Sequence, residues 1–270
     1  MPFATNARDQ SRVYFEDDGG GGIPLVILGG FLDPVELVRR APIAVALQSL
    51  ADEFRLIFID HRGHGQSAKP HDAQAYAMPL RVADVLAVLD ALDIERAHFV
   101  GISWGGRLCF GLGELASERV LSLVIMGQQP YAMNPDGPLA RVVREALAGA
   151  DEGAMEALVE SFEAIAGRYP EAVRAIYLAC DPAALRAAST AAISEGAVSE
   201  DLRAWDIPCL ICVAAQDVDF FEQARRAADE IPHAKFVSIQ DEDHLGLDTA
   251  SIDPVVRVAL PMLRSSAPGR

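Results

Sequence analysis

Short apolar runs and amphipathic stretches alternate through the first half of the chain. The runs at Leu25–Leu28, Phe54–Ile59, Ala97–Val100 and Val120–Met126 carry few polar residues. Strands that read as continuous apolar runs are buried on both faces, the mark of a parallel sheet covered by helices. Arg12–Glu16 reads as a short edge strand, and Asp17–Gly22 as a flexible glycine-rich connection. Helices are predicted over Val35–Asp52 (interrupted near Pro42), Leu80–Leu92 and Arg107–Ala116. In the second of these, Val82, Val85, Leu86, Leu89 and Leu92 recur at helical spacing, with Arg81, Asp84 and Asp90 on the other face.

The pattern changes after Gln129. From about Pro130 to Arg203 nothing reads as a strand. Alanine-rich helices are predicted instead over Leu139–Ala148, Glu152–Ala166, Glu171–Cys180 and Pro182–Glu195. Asp151 and Asp181 sit at N-cap positions, Pro182 at a first helical position and Gly196 at a stop. Sheet character returns with Cys209–Ala214 and Lys235–Ile239, and helices with about Phe221–Ile231 and Pro254–Leu263. The expected fold is α/β, a mostly parallel central sheet with helices on both faces. Its core spans 1–129 and 204–270, and 130–203 forms a helical lid or cap. Ligands in such sheets bind at the carboxyl ends of the strands, beneath a lid placed there.

Composition narrows the partners. The 270 residues suit one α/β domain with an insertion, or two small domains. A formal net charge of −16 argues against nucleic acid and anionic membranes as partners. No apolar run approaches the roughly 18 residues of a membrane span, and Met1–Arg12 lacks the apolar core of a signal peptide. A cytoplasmic location is the expectation. Four cysteines are too few for a disulfide scaffold. Cys209 and Cys212 form a C-x-x-C inside a strand, where positions three apart point to opposite faces. They read as small buried apolar residues, so no metal site is expected.

The chemistry centres on Gly101-Ile102-Ser103-Trp104-Gly105-Gly106, between a predicted strand and a predicted helix. G-x-S-x-G in that setting is a nucleophile elbow, with a serine at the apex of a sharp turn. Its flanking glycines let strand and helix approach closely and tolerate strained dihedrals. A serine hydroxyl needs a base, and the base needs a third group to hold its tautomer. Asp217 follows the strand ending at Ala214, and His244 follows the next strand. Both belong to the sheet edge that carries Ser103. Asp219 is the alternative acid. Among the six histidines, His61 and His64 lie in an early loop and His71 in a polar one. His98 and His233 fall at the opposite sheet edge. An oxyanion hole needs two donors. The Trp104 N–H supplies one, and the Phe31 N–H the other, on the loop opened by Gly29 and Gly30. The expected catalytic set is therefore Ser103, Asp217 and His244.

These motifs together resemble the α/β-hydrolase superfamily, in its lidded serine esterase, lactonase and C–C hydrolase-like branch. The resemblance rests on Leu28-Gly29-Gly30-Phe31, on Asp60-His61-Arg62-Gly63-His64-Gly65-Gln66-Ser67, on the elbow, on Ile207-Pro208 before the strand leading to Asp217, and on Asp243-His244. It covers about residues 12–128 and 204–265. It implies a Ser-Asp-His hydrolase forming an acyl-enzyme, with no metal or organic cofactor. The substrate it implies is a small to medium, apolar ester or lactone. The residues 60–67 are structural in that family and shape a loop near the site. The family usually has histidine where this chain has Gly29, so an oxyanion loop that is looser, or that holds a different substrate, is expected here. Gly30, Leu32, Tyr131 and Phe162 are candidate substrate contacts, and an apolar lid face is a candidate homodimer surface. Carbon–carbon bond cleavage on the same triad, and ligand reception with little turnover, are the competing expectations.

Overall fold

A computed structural model describes residues 2–149, 153–199, 201–248 and 250–266. The predicted N-cap Asp151 and the adjoining Glu152 lie outside them.

In chain order the elements begin with β1 (Phe3–Thr5), β2 (Arg12–Asp17), β3 (Ile23–Leu28), α1 (Val35–Val38), α2 (Pro42–Gln48) and β4 (Phe54–Ile59). Next come α3 (Met78–Ala91), β5 (Ala97–Ile102), α4 (Trp104–Leu115) and β6 (Val120–Met126). Four helices follow: α5 (Pro138–Ala146), α6 (Ala154–Ala166), α7 (Glu171–Leu178) and α8 (Pro182–Ser194). The chain closes with β7 (Cys209–Ala214), α9 (Phe221–Glu230), β8 (Ala234–Ile239) and α10 (Asp253–Ser265).

The described strands form one eight-stranded sheet in the order β1-β2-β4-β3-β5-β6-β7-β8. From β4 to β8 every pairing is parallel, whereas β1–β2 and β2–β4 are antiparallel. The strand at 12–17 is therefore not the edge. The short β1, unseen in the apolar pattern, covers it. Two apolar layers sandwich the sheet. One packs α3, α4 and α9 against it, and the other packs α1, α2 and α10. Every residue of β5, β6 and β7 is buried, as the unbroken apolar runs require. The predicted helix 35–52 is two separate helices, because Pro42 cannot continue the first and instead opens the second.

Arg81 and Asp84 depart from expectation. Both are buried rather than on a solvated face of α3. Asp84 accepts from Arg62 at 2.6 and 2.7 Å and from Asn6 at 2.7 Å. The Arg81 guanidinium lies 3.9 Å from the Trp104 ring centroid and donates to the Trp104 carbonyl at 3.2 Å. Charges that look solvated on one helix are covered here by other elements and answered by partners.

The helices between β6 and β7 are tied to the sheet by side chains. Arg107 of α4, fully buried, donates to the carbonyls of Gln129 and Tyr131 where the chain leaves β6. It also reaches Glu195 at 3.3 Å and the Gly196 carbonyl at 3.0 Å where the chain returns. No described helix is long and apolar enough to cross a membrane.

Candidate active site

Ser103 sits between β5 and α4 with φ 47° and ψ −106°. A non-glycine residue there is strained and persists only where its surroundings over-determine it. The surroundings here are backbone. Ser103 N–H donates to the Met126 carbonyl at 2.7 Å, and Gly105 N–H to the Gly29 carbonyl at 2.9 Å. A Cβ on Gly101 would lie 2.3 Å from the Gly105 carbonyl oxygen, and one on Gly105 the same distance from that of Leu28. Only glycine lets strand and helix meet this closely.

Ser103 Oγ lies 2.9 Å from His244 Nε2, and His244 Nδ1 lies 2.8 Å from Asp217 Oδ2. Asp217 is buried, and its other oxygen accepts the N–H groups of Asp219 and Phe220, each at 3.1 Å. Those bonds fix the carboxylate plane. Asp219, the alternative acid, accepts the Leu139 N–H at 3.0 Å and faces the helices rather than the histidine.

Gly29, Gly30 and Phe31 form the turn after β3. Neither the Phe31 N–H nor the Trp104 N–H, at the first turn of α4, has a partner among the described residues. Both are free to donate to a bound oxyanion. The turn is braced differently from the looser loop expected. His61 Nε2 lies 3.0 Å from the Gly29 carbonyl, His64 Nε2 contacts the Phe31 carbonyl, and Asp33 accepts the Gly30 N–H at 3.0 Å. A Cβ at Gly29 would fall 2.3 Å from a Val38 methyl, so no side chain fits there without movement. Burial lowers the pKa of His61 and of His64, and raises that of Asp33. The Tyr177 hydroxyl of α7 donates to Asp33 at 3.0 Å, linking the braced turn to the helices beyond β6.

These groups open on a cavity of about 150 Å³ between the sheet edge and the inserted helices. Gly30, Leu32 and Phe162 line it, as do Phe31, Trp104, Ser103 and His244. Tyr131 does not. Its ring packs against the Arg226 guanidinium, 4.3 Å away, and its carbonyl binds Arg107. Sequence reasoning passed over several polar lining residues, Asp33, Gln128, Gln129, Asn134, Ser189 and Gln223 among them. Gln128 could have been found by the rule that selects Asp217, being a polar residue just beyond an apolar strand. Asp33 carries no such signal, because its role depends on a turn folding back on itself. No cluster of described His, Cys, Asp or Glu is placed to hold a metal ion.

Residues 23–251 match the family model of the alpha/beta hydrolase fold. Among curated proteins, the 2-hydroxymuconate semialdehyde hydrolase of Pseudomonas sp. strain CF600 is 39% identical over 110 residues, 41% of this chain and 38% of that protein. The 3-oxoadipate enol-lactonase 1 of Acinetobacter baylyi is 37% identical over 93 residues, 34% of each chain. The matched segments thus span little more than a third of these relatives. Among solved structures, the enol-lactonase of Burkholderia xenovorans LB400 superposes with a TM-score of 0.80 at 20% identity, over 97% of this chain and all of that one. That is a likeness of fold.

Proposed function

The chain belongs to the alpha/beta hydrolase fold family, and on that premise we propose that it is a serine hydrolase cleaving a small to medium, apolar carboxylic ester or lactone through an acyl-enzyme. The observation that carries this reading is the relay Ser103–His244–Asp217, with contacts of 2.9 and 2.8 Å, at the wall of a largely apolar cavity. In this mechanism His244 Nε2 takes the Ser103 proton as Oγ attacks the carbonyl carbon. The Phe31 and Trp104 N–H groups stabilise the oxyanion. His244 returns the proton to the leaving oxygen, and water repeats the sequence to release the acid. Asp217 holds the tautomer and stabilises the imidazolium. The helices of 130–203 act as the lid that excludes water and shapes the acyl pocket.

A second reading is carbon–carbon bond hydrolysis on the same triad. It is supported by the matched relative named for 2-hydroxymuconate semialdehyde, a compound with no ester or lactone bond. A vinylogous diketone cleaved faster than simple esters would favour it.

Intact-mass labelling with a fluorophosphonate probe tests the first requirement. One adduct is expected on the wild type and none on Ser103→Ala. Loss of ester turnover in that variant is expected to approach 10⁶-fold, the scale for removing such a nucleophile. Turnover within tenfold of wild type would rule the mechanism out. An unlabelled, well-folded wild type would instead favour a ligand receptor.

A further inference from the structure

Gln128 is 4% exposed and lines the catalytic cavity. It lies two residues beyond Met126, which pairs with Ile102 across β5 and β6 and accepts the Ser103 N–H. Its side chain lines the same cavity as the nucleophile. The amide orientation is set by the backbone, because Oε1 accepts the Gln129 N–H at 3.0 Å. The NH₂ end is thereby turned away from that contact. It has no partner among the described residues, yet it is not one of the unpartnered polar atoms sealed from all solvent. A carboxamide held this way keeps both N–H donors for a ligand, whereas one of the two lone pairs of its oxygen is already taken.

The charges around the cavity are one-sided. Among the described residues no lysine or arginine lines it, whereas Asp33 and Asp219 both do. The buried cation Arg81 stacks on Trp104, is engaged with that residue's carbonyl, and does not line the cavity. A bound carboxylate would lose its water, meet no cation and face two acidic side chains. The −16 charge of the whole chain acts in the same direction.

We propose that Gln128 is a specificity residue, and that the acyl group this site selects is uncharged and carries a hydrogen-bond acceptor, a keto or similar oxygen, received by the Gln128 NH₂. The inference rests on the serine-hydrolase reading and names its substrate class. It sets this site apart from hydrolases whose substrates carry a free carboxylate in the acyl part. The remaining lining mixes apolar side chains such as Leu139, Val143 and Phe162 with uncharged polar ones, Gln129, Asn134, Ser189 and Gln223 among them. A cavity near 150 Å³ has room for a group of about the size of a benzene ring.

The experiment compares kcat/KM for three 4-nitrophenyl esters: the pentanoate, the 4-oxopentanoate and the hydrogen glutarate. The oxopentanoate is expected to exceed the pentanoate by about tenfold, the worth of one good hydrogen bond. The glutarate monoester is expected to fall below the pentanoate by about 100-fold or more, the worth of a few kcal/mol of unrelieved charge burial. Gln128→Leu is expected to bring the oxopentanoate-to-pentanoate ratio to about one. Asp33→Asn is expected to narrow the glutarate deficit by about tenfold, on the scale of removing one nearby like charge. A glutarate monoester cleaved as fast as the pentanoate overturns the inference, and so does a keto preference unchanged in Gln128→Leu. Should either variant fail to fold, the wild-type ratios alone still decide. A protein that hydrolyses none of the three and takes up no fluorophosphonate overturns the serine-hydrolase reading as well. Ester turnover through Ser103 with the wrong preferences overturns this inference alone.

Discussion

The carboxyl edge of the sheet and the helices over it face one cavity, but they are held by different means. At the sheet edge, backbone does the positioning. Ser103 is clamped by the Met126 carbonyl, Gly105 by that of Gly29, and the strands beneath are buried throughout. The helices α5 to α8 are joined to that frame by side chains, through polar ties such as Arg107 to both ends of the segment, Tyr177 to Asp33, Asp219 to the start of α5 and His71 to Asp181, and through apolar packing on Leu32, Leu37, Tyr76 and Trp104. Backbone contacts in a parallel sheet tolerate changes of side chain, whereas the helical attachments depend on particular residues. Under the proposed reading the difference suits a division of labour, with the reacting groups and Gln128 on the rigid edge and much of the apolar pocket wall on the replaceable cover.

The largest expected effect breaks the sheet-edge side. Under the proposed mechanism Asp217→Asn lowers kcat by about 10⁴-fold, because the amide favours the wrong His244 tautomer. Steady-state ester hydrolysis checks this, and a loss below tenfold would remove Asp217 from the mechanism. The next breaks the attachment of the helices. Arg107→Met removes the buried guanidinium that answers one Glu195 oxygen and three carbonyls, so urea denaturation should show a loss of about 3 kcal/mol. Limited proteolysis should then cut first within 130–203. Cleavage first in the core would reverse the comparison.

A pH effect sharpens the picture of the frame. His98 in β5 is fully buried, with Nδ1 2.7 Å from Ser122 Oγ and Nε2 unpartnered. Burial lowers its pKa from 6.5 to about 4. The folded state therefore holds it neutral where the unfolded chain would protonate it. Its contribution is whole above pH 6.5 and is lost as the pH falls to about 4, a change of about 3 kcal/mol. His98→Asn should shrink the stability difference between pH 7 and pH 4 by a comparable amount, and an unchanged difference would show that His98 is not the titrating group. The smallest effect concerns the link between the two regions. Tyr177→Phe removes one hydrogen bond to Asp33 and should lower Tm by about 2 °C, on the scale of 1 kcal/mol. A drop above 8 °C would mean that the ring, packed edge-on against Tyr169, carries the contact.

Much of this was legible in the chain because it is local. Continuous apolar runs predict buried parallel strands, and Ser103 between flanking glycines predicts the elbow. Asp217 and His244 follow from lying just past strand ends, since parallel strands bring all their carboxyl ends to one edge. That periodicity and those turns are set by neighbouring residues, so the sequence alone determined the α/β class and the residues that meet at the edge. Long-range packing decided the rest. Arg81 and Asp84 look solvated on α3, yet Trp104 and Arg62 cover them. Tyr131 looks like a pocket residue, yet it turns toward Arg226. Asp33 and the two loop histidines brace a turn that looked loose, and Gln128 faces the cavity because a backbone N–H fixes its other end. A side chain's direction depends on what other elements place around it, and no local pattern carries that information.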